Sequence, residues 1–247
     1  MRVLELRNYL LRKGATAHFI RYFEEHFLDS QRAEGMYPLG QFEVVGEPDR
    51  FVWIRGFADM PARLRGLSGF YGGPFWQARR DEANAMMLEH HNVHLLRPLA
   101  PIATLTGRAT PEERASEPPG ALPPHTGLVA VDFYRAAPEA VEDLVDRFER
   151  TVRPALVANG HQILGHFVAE LAPNNYPRLP VIQDPSLLVV LSAYRDRGHS
   201  ALARRDWMAR GPVVEGGLEP LLIADVATIY LHPTARSLIR YGAYGSP

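Results

Sequence analysis

The feature that most constrains the fold of this chain is an internal repeat. The segment Gly35–Phe42 recurs as Gly160–Phe167, and both glycines, the leucine and the phenylalanine return at an offset of 125 residues. Three further landmarks return in the same order, namely Phe57-Ala58-Asp59 as Tyr194-Arg195-Asp196, Trp76–Arg79 as Trp207–Arg210, and Leu96-Arg97-Pro98 as Leu231-His232-Pro233. Ordered self-similarity of this kind predicts a tandem duplication of one structural unit.

Each copy contains the same order of predicted elements. A strand (about 2–10 and 128–135) leads into an amphipathic helix (about 15–34 and 138–158), followed by two strands (about 39–46 with 51–58, and 163–170 with 187–194). A second helical region and a last strand (about 92–97 and 226–232) complete each copy. The helices are inferred from apolar residues at 3.6-residue spacing, as from Val141 to Val152. This order of elements is ferredoxin-like.

A ferredoxin-like sheet is covered by helices on one face and needs a partner for the other. We therefore predict an α+β fold in which two ferredoxin-like units, residues 1–98 and 127–247, are fused into one intramolecular dimeric α+β barrel. The Pro- and Gly-rich segment 99–126 is predicted to be a linker, mobile or wrapped along the surface. A hairpin turn is predicted at Pro48-Asp49, and Leu171–Pro185 replaces it in the second copy.

The first copy also resembles a known family. Its opening, Leu4-Glu5-Leu6-Arg7-Asn8-Tyr9, resembles the first strand of NIPSNAP proteins. The stretch Gly69–Asn84 looks like the second-helix segment of that family, and Asn92–Pro98 is similar to its closing strand. The resemblance implies a dimeric α+β barrel, but a shared fold does not assign a reaction.

Composition narrows the classes of function. The chain has no cysteine, which excludes disulfides, thiolate nucleophiles and cysteine-ligated metals. Its net charge of −1 gives no electrostatic reason to expect nucleic acid or a membrane as a partner. The first residues enter a strand-like alternation without a signal segment, and no run of 18 apolar residues occurs. These observations predict a cytoplasmic protein.

Strand parity selects the candidate site residues, because successive side chains of a strand point to opposite faces. In the first strand Leu4 and Leu6 share one face, and Glu5, Arg7 and Tyr9 share the other. We expect the apolar faces to meet the helices and the polar faces to line the barrel interior. The residues predicted to face the interior are Glu5, Arg7, Tyr9, Gln41, Asp132, Tyr134 and His166.

Two interpretations of these residues remain open. In one they form a structural ion-pair network, with Arg7 paired to Glu5 or to Asp132 across the pseudo-dyad, because buried charges need partners. In the other they line a ligand pocket. For an enzyme, Arg7 is the candidate partner of an oxyanion or carboxylate, and Asp132 or His166 is the candidate base. Glu5, Tyr9, Gln41 and Tyr134 would then orient the ligand.

The sequence favours a cofactor-independent enzyme, or a carrier, that acts on a small, partly apolar organic molecule inside the barrel. No cofactor or metal is predicted, because the strand around His90, His91 and His94 would splay their side chains. The alternative is a protein-interaction module with a filled, non-catalytic barrel. A void of roughly 300 Å³ or more that touches the polar residues would favour the first hypothesis. Whether the protein is an enzyme and whether it forms a homo-oligomer stay open at this level.

Overall fold

The computed structural model describes residues 1–101, 103–107, 109–123, 126–209 and 217–242. The strands within them are β1 (Val3–Leu11), β2 (Tyr37–Val44), β3 (Glu47–Phe57), β4 (Met87–Pro98), β5 (Leu128–Arg135), β6 (Gln162–Ala169), β7 (Leu187–Tyr194) and β8 (Ala227–Pro233). The α-helices are α1 (Thr16–Ala33), α2 (Met60–Gly72), α3 (Pro74–Met86), α4 (Ala103–Thr106), α5 (Pro111–Ala115), α6 (Val141–Arg147), α7 (Arg153–Ala158) and α8 (Arg197–Ala209). The side chains of the landmark Trp207–Arg210 lie outside the described part.

The strands close into one antiparallel barrel in the order β1-β3-β2-β8-β5-β7-β6-β4. Within each half, the first strand lies between the third and the fourth, which gives the orders β4-β1-β3-β2 and β8-β5-β7-β6. The predicted α+β class and the eight-stranded barrel are therefore confirmed. None of the helices in the described residues is long and apolar enough to cross a membrane.

The two seams between the halves follow the internal repeat. At one seam Phe42 pairs with Pro233, and at the other Phe167 pairs with Pro98. Phe42 and Phe167 are related by the offset of 125, whereas Pro98 and Pro233 are related by the offset of 135. The same two offsets that were read from the sequence thus relate the two seams residue by residue.

The barrel interior is filled by apolar side chains from both halves. Its buried members include Leu4, Leu6, Val52, Ile54, Val129, Val131, Leu164, Phe167, Val189, Leu191 and Leu231. The predicted orientation of the strands was therefore wrong, because the apolar faces meet each other and the polar faces lie under the helices. A closed lumen offers a charged group no solvent and only apolar neighbours, whereas the helices supply polar partners to the outer face.

Gly40 and Gly165 have the same structural role in the repeated segments Gly35–Phe42 and Gly160–Phe167. A Cβ on Gly40 would lie 2.5 Å from the Phe42 ring, and a Cβ on Gly165 would lie 2.9 Å from the Phe167 ring. Each glycine therefore lets the phenylalanine two residues later fold back over the backbone on the barrel side. Glycine is the residue that permits such a close approach to the backbone.

The connections between β2 and β3 and between β6 and β7 differ. The first is a two-residue turn at Val45-Gly46, where Gly46 has a φ of +87°, so the turn predicted at Pro48-Asp49 was placed too late. The positive φ suits glycine, and Pro48 lies within β3 instead. The second connection, Leu171–Pro185, crosses to the first half, where the Ile182 N–H donates to the Val93 carbonyl over 2.6 Å. We call this segment the strap.

The first helical region of the second half is irregular. It runs from a 3₁₀ turn at Pro138–Ala140 through α6, a π-helical stretch at Phe148–Val152 and α7. Pro154 lacks an N–H, and its ring would crowd the carbonyl of Arg150 in a regular α-helix. The widened turn removes that conflict, which is why the predicted single helix over 138–158 is divided.

The linker wraps along both halves of the chain. The Gly120 N–H donates to the buried carboxylate of Glu24 over 2.6 Å, and the Ala235 N–H donates to the Ala121 carbonyl over 2.9 Å. Leu105 in α4 is almost fully buried and belongs to the barrel core. The segment 99–126 was expected to be mobile or to wrap along the surface, and the described part of it does wrap. Its composition did not predict that one of its residues would belong to the barrel core.

The filled interior leads to a prediction about isolated halves. Residues 1–98 expressed alone should dimerise or aggregate, because Leu4, Leu6, Val52 and Ile54 would lose the apolar face that covers them. Light scattering coupled to size-exclusion chromatography measures the mass of the fragment. A stable monomer would contradict the expectation that each half needs the other.

Candidate functional site

The polar residues predicted from strand parity occupy separate places on the outer, helix-covered side of the sheets. In the first half, Glu5, Arg7 and Tyr9 lie together beneath the helices, and the side chain of Glu5 is fully buried. Arg7 donates to the Glu5 carboxylate over 2.6 Å and to the Tyr9 hydroxyl oxygen over 2.8 Å. The interpretation of Glu5 and Arg7 as a buried ion pair is confirmed.

Two further arginines complete this cluster. Arg55 on β3 donates to the same Glu5 oxygen as Arg7 over 2.8 Å, and Arg63 on α2 donates to the other oxygen over 2.7 Å. Burial alone would raise the pKa of Glu5, but the three guanidinium charges outweigh burial and hold this pKa well below its usual value. We call Glu5, Arg7, Arg55 and Arg63 the arginine cluster.

The strap covers the arginine cluster. Arg63 donates to the side-chain oxygens of Asn174 over 3.0 Å and Asn175 over 2.8 Å. The Asn175 side chain in turn donates to the Met60 carbonyl over 2.6 Å, at the beginning of α2. The strap, which belongs to the second half of the chain, therefore closes the helix-covered side of the first half.

The corresponding side of the second half holds a cavity of about 690 Å³, which falls within the roughly 300–1,000 Å³ of ordinary ligand sites. Its polar lining residues are Asp132, Tyr134, His161, Arg204, Glu219, Asp225 and Thr228, and its apolar lining includes Val152, Leu156, Leu218, Leu222, Ile223 and Val226. Ile223 and Val226 are exposed and so lie toward its mouth. We call this space the second-half cavity.

Asp132 forms one wall of the second-half cavity. Arg204 on α8 lies 2.9 Å from both carboxylate oxygens, and the Thr228 hydroxyl donates to Asp132 over 2.5 Å. The predicted pairing of Arg7 with Asp132 was therefore wrong. Each of the two residues lies on the outer face of its own sheet, so the filled barrel separates them.

His161 is the buried histidine of the second-half cavity. Its Nδ1 lies 2.6 Å from the Tyr194 hydroxyl, and its Nε2 is buried without a hydrogen bond. Burial lowers the pKa of His161 more than the nearby Ala203 carbonyl raises it, which favours the neutral imidazole at pH 7. Burial also raises the pKa of Tyr194 to about 12 and the pKa of Tyr134 still further, so both hydroxyls keep their protons.

Two of the predicted residues lie away from the second-half cavity. His166 is buried beside Phe148 and contacts the Glu149 carboxylate, and burial lowers its pKa. Gln41 is paired across the sheet with Trp53, and its buried side-chain oxygen has no hydrogen-bond partner. Neither residue is among those that line the second-half cavity.

Sequence reasoning missed His161 and Arg204. The sequence contained a signal for His161, because the offset of 125 residues makes it the equivalent of Met36, which is fully buried in the first half. A polar residue at the equivalent of an apolar core position indicates a changed environment. Arg204 left no such signal, since its pairing with Asp132 depends on how α8 packs against β5.

Two other places in the fold carry polar side chains of the kind found at binding sites, namely β4 and a surface groove. The described residues contain no group of three His, Cys, Asp or Glu side chains placed to hold a metal, and His90, His91 and His94 lie on β4. A surface groove of about 550 Å³ beside the turn at Gly46 is lined by Arg195, Arg197 and His232 among others. None of its lining residues carries a buried polar atom without a partner.

Comparison with solved structures defines the class of fold. No family model matches the sequence, and no curated protein matches it. A candidate monooxygenase from Lactobacillus acidophilus NCFM is 10% identical with a TM-score of 0.60, over 94% of this chain and 93% of that one. An anthrone oxidase-like protein is 10% identical with a TM-score of 0.55, over 94% and 91%. At these identities the likeness shows the fold, an antiparallel α+β barrel of the dimeric type.

NIPSNAP proteins of known structure match a smaller part of the chain. A NIPSNAP-like domain protein from Burkholderia xenovorans is 24% identical over 40% of this chain and 89% of that one, with a TM-score of 0.37. A NIPSNAP family protein from Agrobacterium tumefaciens is 18% identical over 40% and 92%, also with a TM-score of 0.37. The resemblance predicted from the sequence is confirmed to this extent, and no function follows from it.

Proposed function

We propose that the chain is a fusion of two ferredoxin-like units that binds a small, partly apolar organic molecule in the second-half cavity and transfers a proton from it. The repeated strand order and the related seams support the fusion, with residues 1–98 and 127–247 as the two units. A cavity of about 690 Å³ with an apolar lining and a few convergent polar groups is typical of small-molecule sites.

The observation that carries this proposal is the free Nε2 of His161. His161 lines the second-half cavity, and in the tautomer whose Nδ1–H donates to the Tyr194 oxygen its Nε2 holds a lone pair. A neutral histidine with an unoccupied ring nitrogen is suited to act as a general base. Arg204 and Thr228 hold the Asp132 carboxylate in place, and the Tyr134 hydroxyl can orient the ligand.

The names of the full-length structural neighbours support an oxidative reaction. Those neighbours include a candidate monooxygenase and an anthrone oxidase-like protein. A base that removes a proton from an activated CH₂ group leaves a carbanion, which dioxygen can oxidise. The reaction R₂CH₂ + O₂ → R₂C=O + H₂O is balanced with the substrate as the reductant and needs no further co-reactant.

The protein-interaction alternative is supported by one observation, the apolar packing of the barrel interior. However, a void larger than the roughly 300 Å³ expected of a ligand site touches Asp132 and Tyr134 on the outer face. We therefore propose that the ligand binds on the helix-covered side of the sheet and not in the barrel interior. A carrier would use the same cavity without the proton-transfer step.

The test of the proposed function compares two histidines. His161→Gln should lower turnover of a substrate found by screening small aromatic compounds by about 10²–10⁴-fold. His166→Gln is the matched variant, because His166 is also buried but lies outside the second-half cavity. Turnover by the wild type should fall at low pH with a midpoint below the ordinary histidine value of about 6.5, because burial lowers the pKa of His161 and protonation removes the base.

A third variant separates binding from catalysis. Ala224→Trp, at an exposed position of the cavity lining, should block ligand binding without lowering the melting temperature. Calorimetric titration measures the binding. The proposal is wrong if Ala224→Trp binds ligand normally, or if His166→Gln rather than His161→Gln abolishes turnover. If the wild type binds the ligand normally but does not turn it over, the proton-transfer step is wrong and the protein is a carrier.

A further inference from the structure

The arginine cluster contains more positive than negative charge. The side chains of Arg7, Arg55 and Arg63 are at most 1% exposed, and Glu5 between them is fully buried. Among the described residues, Glu5 is the carboxylate whose charge acts on both Arg7 and Arg63, yet burial still lowers the pKa of Arg63 below its ordinary value. Three guanidinium groups around one carboxylate leave an excess of two positive charges beneath the helices.

The hydrogen bonds of the cluster do not remove this excess. Both Glu5 oxygens are already used, one by Arg63 and the other by Arg7 and Arg55. The amides of Gln31, Asn174 and Asn175 supply dipoles but no charge. One nitrogen of Arg63, Nη2, is buried without a hydrogen bond. An uncompensated buried charge is costly, so an arrangement of this kind favours binding of a counter-ion.

A small cavity lies beside the cluster. Its volume is about 30 Å³, and Tyr9, Gln31, Trp53 and Tyr71 are among its lining residues. The Trp53 indole N–H is buried without a partner. Because the Tyr9 oxygen accepts from Arg7, its own O–H proton can be donated elsewhere. The guanidinium carbons of Arg7 and Arg55 lie 5.4 Å and 5.0 Å from the centre of the Trp53 ring.

We propose that the arginine cluster and this cavity form a binding site for a small monovalent anion of the size of bromide, nitrate or formate. The excess charge attracts an anion, and the Trp53 and Tyr9 groups offer hydrogen-bond donors to it. The volume suits an occupant not much larger than a water molecule. The site lies in the opposite half from the second-half cavity, so it does not depend on the proposed proton transfer.

Thermal melts of the full chain with sodium bromide test the proposal, with sodium gluconate keeping the ionic strength constant. Bromide should raise the melting temperature of the wild type by several degrees and then saturate, because it binds the folded state alone. Tyr9→Phe removes one donor and should weaken this response, and Arg63→Gln should abolish it. Arg204→Gln is the matched control, since Arg204 belongs to a one-to-one pair with Asp132 and should leave the bromide response intact.

A crystal grown in bromide provides a readout that does not require a folded variant. We expect an anomalous peak within hydrogen-bonding distance of Trp53 Nε1 or of the arginine cluster. A rise in melting temperature that is equal in all four proteins and does not saturate would be a general salt effect and would overturn the proposal. The absence of an anomalous peak at the cluster would also overturn it.

Discussion

Replacing Glu5 by glutamine is expected to lower the free energy of unfolding by about 3–5 kcal/mol, because it leaves three buried guanidinium groups without their carboxylate. Urea denaturation at pH 7 measures the change. Glu47→Gln is the matched control, since Glu47 pairs with Arg50 on the surface and its side chain is 53% exposed. That variant should lose no more than about 1 kcal/mol.

The pH dependence provides a second check on Glu5. A carboxyl group with a lowered folded-state pKa contributes stability above its unfolded pKa of about 4.3 and loses it as the pH falls toward the folded value. The difference in stability between the wild type and Glu5→Gln should therefore shrink below about pH 4. A difference that stays constant with pH, or a variant as stable as Glu47→Gln, would contradict the ion-pair account. Bromide should restore part of the loss if the cluster binds anions.

Replacing Leu105 by alanine is expected to lower the free energy of unfolding by about 2–5 kcal/mol, because the change leaves a cavity in the barrel core. Leu105 is 1% exposed, whereas Leu122 in the same linker is 36% exposed. Leu122→Ala should therefore change the stability by about 0.5 kcal/mol at most. The two variants are compared by urea denaturation under identical conditions.

The comparison decides whether the linker is part of the folded core. A linker that merely tethers two halves would make both substitutions nearly neutral, and equal effects would contradict the assignment of Leu105 to the barrel. Ile239 provides the symmetric case. It is fully buried in the same core and lies near Gly40, as Leu105 lies near Gly165, so the segments after β4 and β8 play equivalent parts.

Patterns in the sequence were sufficient to predict the order of the strands and helices and the α+β barrel. The offsets of the repeat predicted the order of elements and the α+β barrel, and they relate the two seams found in the structure. The two-residue period of a strand also grouped the polar residues correctly. It placed Glu5, Arg7 and Tyr9 on one face and Asp132 with Tyr134 on one face, as the structure has them.

The direction in which those faces point was decided only by the tertiary structure. Both faces of each sheet are covered here, one by helices and the other by the second sheet, so alternation separates two faces without telling which is the lumen. The partners of these residues are also distant in sequence: Arg63 reaches Glu5 across 58 residues, and Arg204 reaches Asp132 across 72. Hydrogen bonds and charges act over a few ångströms of space, so contacts made by packed helices leave no periodic trace in the sequence.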